Sequence, residues 1–258
     1  MMLMEVKNIS VHLNNHLIVK EVSLNVQQGE LIGVIGPNGA GKTTLLKSLA
    51  KLLPIQSGQI EFQGKALSEI DQKTLSRSLS YMAQGDNIHW PLRVEKLVEL
   101  GRLPYVGPWQ SLSQKDITII EQAMEMAEVR HLRHRTSTKL SGGERRLVML
   151  ARAIAVQPKV LLADEPVSGL DPNHQIQVMK LLYKMTQEGK SVVMVLHDLS
   201  LAARYCHKLY LMKEGKILIS GTPKEVLTPE NLQKAYGITA KYGQGDKEFY
   251  VVPWDRIL

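Results

Sequence analysis

The run LIGVIGPNGAGKTTLLKSL, Leu31 to Leu49, leaves a chain few ways to fold. LIGVI is an almost unbroken apolar stretch of strand length, as expected for a strand buried on both faces of a sheet. Gly36, Gly39 and Gly41 then admit a tight loop, and Leu45, Leu46 and Leu49 recur on one face of a helix. The leucine spacing predicts that this helix continues through Leu52 and Leu53 to a stop at Pro54. Two more runs, VLLA (160–163) and SVVMVL (191–196), have the same buried-strand character, with helix-period stretches between them. Strands alternating with helices predict an α/β core around a mostly parallel sheet.

Two regions depart from that pattern. Near the start, EVKNISVHL, LIVKEVSLNV and QIEFQG alternate as strands separated by Asn-Asn and Gln-Gly turns, which predicts an antiparallel sheet beside the core. Residues 91–157 are mostly helical in period, ITIIEQAMEMAEV most clearly. Towards the end, KLYLMKEGKILI predicts a hairpin turning at Glu214-Gly215. TPENLQKAYGI predicts a short helix capped by Thr228 with Pro229 at its first position. The tail from Lys241, with EFYVV, is expected to pack on the core.

Composition excludes several classes. The 258 residues are 44% hydrophobic and 22% charged, ordinary for a folded globular chain. No apolar run approaches the length of a membrane-spanning helix and the first residues lack a secretory pattern, so a cytoplasmic chain is expected. The single cysteine, Cys206, excludes an internal disulfide and is expected to be a small core residue. A net charge of +7 is compatible with nucleic acid, a membrane surface or anionic ligands and decides nothing alone. Its densest stretch, VRHLRHR (129–135), is expected to be a solvated basic face, since positive neighbours oppose a cation at His131 and His134.

The loop Gly36-Pro37-Asn38-Gly39-Ala40-Gly41-Lys42-Thr43 follows G-x-x-x-x-G-K-[ST] between a strand and a helix start, with Thr44 completing the stretch. Backbone N–H groups of such a loop wrap phosphate oxygens, and the helix N-terminus adds favourable potential. Lys42 is expected to reach the β- and γ-phosphates and the Thr43 hydroxyl to ligate Mg²⁺. Asp164-Glu165-Pro166 ends the second buried run, where Asp164 can hold Mg²⁺ and Glu165 can orient or deprotonate water. His197 ends the third run in the same way, at the carboxyl edge where ligands bind in such sheets, and is expected to contact the γ-phosphate.

Taken in order, Gly36 to Thr43, Gln84, Leu140 to Glu144 (LSGGE), Val160 to Glu165, Ser168-Gly169-Leu170-Asp171 and His197 resemble the nucleotide-binding subunits of ABC transporters over nearly the whole chain. The resemblance implies a phosphate-loop NTPase (RecA-like) core with an N-terminal antiparallel β subdomain and an inserted helical subdomain. These would form one domain, 1–258: the β subdomain and phosphate loop in 1–84, the helical part in 85–157, the rest of the core in 158–240 and a tail, 241–258. It implies ATP hydrolysis, with Mg²⁺ held by Thr43, Gln84 and Asp164, and with Gln84 also contacting the attacking water. Ser141, Gly142, Gly143 and Glu144 would close on ATP held by a second copy, and Asp171 would report across that interface. Two incomplete sites would thus face each other in a homodimer. Glu144 stands where the family most often has Gln, and resembles a variant common in metal-chelate importers. At the usually aromatic adenine position stands Leu13, so apolar contact with Leu13 or stacking on His12 or His16 is expected instead.

The segment VEKLVELGRLPY, Val94 to Tyr105, and GTPKEVLTPENLQKAYGI (221–238), resemble the branch that energises uptake of iron–siderophore complexes, haem and cobalamin. In that branch the region after Gln84 lines a groove for the permease, to which Trp90, Tyr105 and Trp109 could contribute. The resemblance implies a peripheral subunit on the cytoplasmic face of the membrane, separate integral-membrane permease subunits and, indirectly, an extracytoplasmic substrate-binding protein. The alternative is a soluble ABC-type ATPase acting on nucleic acid or ribosomes. The absence of a second nucleotide unit and of heptads argues against it, so no nucleic acid is expected. A phosphate-loop kinase would leave LSGGE without a role.

Overall fold

Strands β1 (Met2–Leu13) and β2 (His16–Gln27) pair antiparallel across the Asn14-Asn15 turn, whose two residues both take positive φ, as a tight hairpin requires. In this computed structural model, which describes residues 1–85, 90–107, 109–244 and 249–257, the chain then crosses into β3 (Leu31–Ile35) and helix α1 (Lys42–Leu49). It returns through β4 (Ser57–Phe62) and β5 (Lys65–Ala66), completing a four-stranded antiparallel sheet in the order β2-β1-β4-β5. Helix α2 (Gln72–Ser78) leads to β6 (Leu79–Met82). Then come the α-helices α3 (Val94–Glu99), α4 (Gln114–Met126) and α5 (Gly142–Ala155). The chain re-enters the core as β7 (Val160–Asp164), α6 (Pro172–Gln187), β8 (Ser191–Val195) and α7 (Leu199–Tyr205). It continues through β9 (Lys208–Lys213), β10 (Lys216–Gly221), α8 (Pro223–Val226) and α9 (Pro229–Tyr236), and closes with β11 (Ile238–Gln244) and β12 (Phe249–Arg256).

The main sheet has the order β10-β9-β3-β8-β7-β6 and is parallel except for its edge strand β10. Every residue of β3, β7 and β8 is buried, because both faces are covered. On one face Ile32, Val34, Leu162, Val193 and Val195 pack with α1 and the antiparallel sheet. On the other, Leu31, Ile35, Leu161, Ala163, Val192 and Met194 pack with α5, α6 and α7. Burying a leucine fully contributes about 1.5–3 kcal/mol, so Leu45, Leu46 and Leu49 of α1, all at 0% exposure, are enough to seat the phosphate loop.

Helix α1 is shorter than its leucines predict. It stops at Leu49, Lys51 takes φ 57°, and Leu52 is exposed. The Lys51 ammonium donates to the carbonyls of Ser68 and Ile70, so contacts from a later segment turn the chain before Pro54 does. The hairpin at Glu214-Gly215 and the Thr228-capped helix α9 form as expected, the latter closed by Gly237 in the left-handed region. Cys206 is buried.

The basic stretch 129–135 is not simply a solvated face. Arg130 pairs with Glu121 and Glu125, Arg133 with Glu95 and Glu121, and Arg135 with Glu144. A buried pair, Arg102 Nε to Asp116 Oδ1 at 2.8 Å, ties the short segment after α3 to the first turn of α4. The tail packs as β11-β12 against α7, with Val251 buried and its carbonyl accepting from Ser200 Oγ.

Candidate functional site

The loop between β3 and α1 is shaped by backbone crowding. Gly36 has φ 147°, and a Cβ there would lie 2.1 Å from the carbonyl oxygen of Met212 at the end of β9. Gly41, the residue before α1, has φ 94°, and its Cβ would lie 2.9 Å from the Ile18 carbonyl. From the other side the Gly215 N–H donates to the Ala40 carbonyl, so the β9-β10 turn props the loop. The Lys42 ammonium is buried and donates to the carbonyls of Gly36 and Pro37 at 2.7 and 2.9 Å. Burial lowers its pKa, outweighing the pull of Glu165 and Asp164.

Beside this loop lies a cavity of about 620 Å³, lined by residues 38–44 together with Leu13, Ile18, Gln84, Glu165 and His197. Asp164 and Glu165 are adjacent but face different partners, since β7 ends at Asp164 and Glu165 takes φ 51°, a left-handed turn uncommon for a residue with a side chain. Asp164 is fully buried and accepts from the Thr43 hydroxyl at 3.1 Å and the Tyr81 hydroxyl at 3.4 Å. Burial raises its pKa, the two hydroxyls offsetting only part of that. Glu165 Oε1 lies 2.6 Å from His197 Nε2. For Glu165 burial again acts upward, but His197, with Ser168 and Gln84, prevails and leaves the carboxyl below its usual range.

Gln84, Glu165 and His197, expected from three separate segments, therefore meet at one cavity wall with Thr43 and Asp164 beside them. Leu13 lines the cavity, whereas His12 and His16 do not; Ile18 takes the second apolar position. Nothing in the spacing around Ile18 marked it, because its place depends on the hairpin register that sets His12 opposite Leu17. Tyr81 was also missed, and its strand position beside β7 is what brings it to Asp164. Asp164 has hydroxyls and no cationic side chain as hydrogen-bond partners among the described residues, a hard-oxygen donor set that fits Mg²⁺.

None of Ser141, Gly142, Gly143 and Glu144 lines this cavity. Ser141 caps α5 in a reciprocal box: its Oγ accepts from the Glu144 N–H, and the Glu144 carboxylate accepts from the Ser141 N–H. Glu144 is thus engaged in holding the turn, aided by Arg135 at 2.9 Å. Asp171 caps α6.

The sequence profile of the family described as ABC transporter matches residues 19–168. The chain belongs to the ABC transporter family. It is an ATP-binding, ATP-hydrolysing subunit of that family, with the mixed-sheet fold of its ATPases. A hemin import ATP-binding protein of Bordetella avium is 37% identical over 93% of this chain and 94% of its own. A petrobactin import ATP-binding protein of Bacillus anthracis is 34% identical over 91% and 87%. Among solved structures, a chain of an ABC transporter described as metal-chelate type, in an inward-facing conformation, matches over 98% of both chains with a TM-score of 0.86 and 26% identity. A dimeric ATP-binding cassette in a post-hydrolysis state with ADP and Pi matches over 85% of this chain and 98% of that chain, with a TM-score of 0.73 and 27% identity.

The family resemblance had offered Trp90, Tyr105 and Trp109 as groove residues. Tyr105 is instead a packing pin: its hydroxyl lies within donating distance of the carbonyls of Arg77 and Val156, at 3.0 and 2.9 Å, and its ring lies under the Arg102 guanidinium at 3.8 Å. Trp90 and Trp109 are exposed. A separate groove of about 440 Å³ runs between β6, the segment Leu100–Tyr105 and α5, walled by Leu100, Leu103, Pro104, Met149, Arg152 and Val156.

Proposed function

We propose that this ATPase subunit energises uptake of a metal chelate, of the iron–siderophore, haem or cobalamin kind, by a separate membrane permease. The observation that carries the reading is the incompleteness of the nucleotide cavity: residues 38–44, Gln84, Glu165 and His197 line it, with Asp164 bonded to Thr43 beside it, while residues 141–144 lie outside it. Two copies related by a two-fold axis would each supply Ser141 and Gly143 to the other's γ-phosphate, making ATP the link between them. Within one cavity, loop 36–44 cradles the phosphates and Lys42 leaves its carbonyl partners for the β- and γ-phosphates. Thr43, Asp164 and Gln84 would hold Mg²⁺, which when bound neutralises charge on the phosphate oxygens. Glu165, ionised at neutral pH, accepts the proton of the attacking water, with Gln84 and His197 positioning carboxylate and water. Leu13 and Ile18 give the adenine an apolar seat.

Opening and closing of the dimer would reach the permease through the groove beside Leu103 and Arg152, with the subunit peripheral on the cytoplasmic face and a substrate-binding protein on the far side. The uptake reading is supported by the relatives named for hemin and petrobactin import. Purification of the tagged protein from its native membranes in mild detergent tests it. A stoichiometric polytopic permease is expected; recovery of ribosomes or nucleic acid alone would move the protein to the soluble class.

A further inference from the structure

The two glycines after Ser141 differ in their surroundings. A Cβ at Gly142 would meet nothing within 4 Å, whereas at Gly143 it would lie 2.5 Å from both Cγ and Cδ2 of His174. The imidazole of His174, the third residue of α6, therefore rests against the Cα of Gly143 in the first turn of α5. That ring is held in place. Its Nδ1 lies 2.6 Å from Asp171 Oδ2, while Asp171 Oδ1 accepts from the His174 backbone N–H at 3.1 Å. One carboxylate thus caps α6 with one oxygen and fixes the imidazole with the other.

A glycine pair is conformationally permissive, so the turn at 142–143 needs support from outside itself. The capping box fixes its start at Ser141 and Glu144; the imidazole closes its inner side. We infer that His174 is a positioning residue that ties the Asp171 turn to the Ser141–Gly143 turn of the same chain, so that both present to a second copy as one rigid unit. The inference rests on the sandwich reading above. It assigns His174 no contact with nucleotide: its effect falls on the partner's site and not on the ATP bound by its own chain.

The test uses the full chain carrying Glu165→Gln, and reads the ATP concentration that gives half-maximal dimer by light scattering, with single-chain ATP affinity measured in parallel. Losing a charge-assisted hydrogen bond and the ring together, Glu165→Gln with His174→Ala is expected to need about tenfold more ATP to assemble, with single-chain affinity unchanged. His174→Gln, which restores a donor to Asp171, is expected to recover most of that loss, and His174→Phe, a ring without a donor, is not. Assembly of the His174→Ala form at the ATP level of Glu165→Gln alone would overturn the tie. Full assembly with His174→Phe would reduce it to packing and overturn the part played by Asp171. Parallel loss of single-chain ATP binding would mark a general structural role and overturn it as well. A Glu165→Gln chain that stays monomeric at saturating ATP would remove the sandwich and the tie with it.

Discussion

Asp164 and Glu165 are neighbours of the same chemistry whose surroundings push them apart. Burial holds Asp164 above the usual carboxylate range, while the contacts of Glu165 with His197, Ser168 and Gln84 outweigh its own burial and hold it below. A group that stays ionised suits a proton acceptor. Glu165→Gln keeps the shape and removes the base, so it is expected to lower phosphate release by about 10²–10⁴-fold while ATP binding persists. A phosphate-release assay beside equilibrium ATP binding checks this, and a normal rate would strip Glu165 of the role. In the same cavity Leu13 is 43% exposed and offers an apolar contact without a π-face. Leu13→Tyr is expected to tighten ATP binding by about 2- to 10-fold through stacking, measured by titration calorimetry. No gain would place the adenine elsewhere.

At the scale of elements, the pair Arg102–Asp116 decides how the helices after β6 hold together. Both side chains are nearly inaccessible, and Asp116 also completes the capping box of α4 with Ser113. Asp116→Ala would leave a buried guanidinium unpaired and open the cap, at a cost of about 3 kcal/mol or more, read as a lower urea midpoint. The Ser113 hydroxyl, with Arg102 adding to it against the opposing burial, holds the Asp116 carboxyl below its ordinary 3.8. Its folded-state pKa being depressed, the contribution is complete above that value and is lost as pH falls through the lower one. The stability gap between wild type and Asp116→Ala is therefore expected to narrow only below about pH 4.

For the molecule as a whole, the groove proposed to meet the permease brings together a strand, a short helical segment and α5 from three stretches of chain. Among the described residues the Arg152 side chain has no ion-pair or hydrogen-bond partner, and burial alone lowers its pKa. A lone guanidinium between Leu100, Leu103 and Val156 favours a carboxylate on an incoming helix. Arg152→Glu is accordingly expected to cut the permease recovered in the detergent purification by about tenfold or more. Undiminished recovery would remove Arg152 from that contact.

What the sequence by itself determined was whatever local spacing encodes. Apolar runs of four to six residues became the buried strands, G-x-x-x-x-G-K-[ST] became the turn into α1, Thr228-Pro229 opened α9, and carboxylates and His197 at strand ends reached one sheet edge. Each of these is dictated within a few residues of itself, by period, cap or φ preference. The tertiary structure alone decided the rest. Helix α1 ends early because Lys51 finds carbonyls at Ser68 and Ile70. Ile18 lines the cavity through hairpin register, the Glu214-Gly215 turn supports Ala40, and Gly143 is closed by a ring anchored at Asp171. These contacts join residues far apart along the chain, between which no period runs; only the packing of one element on another brings them into reach.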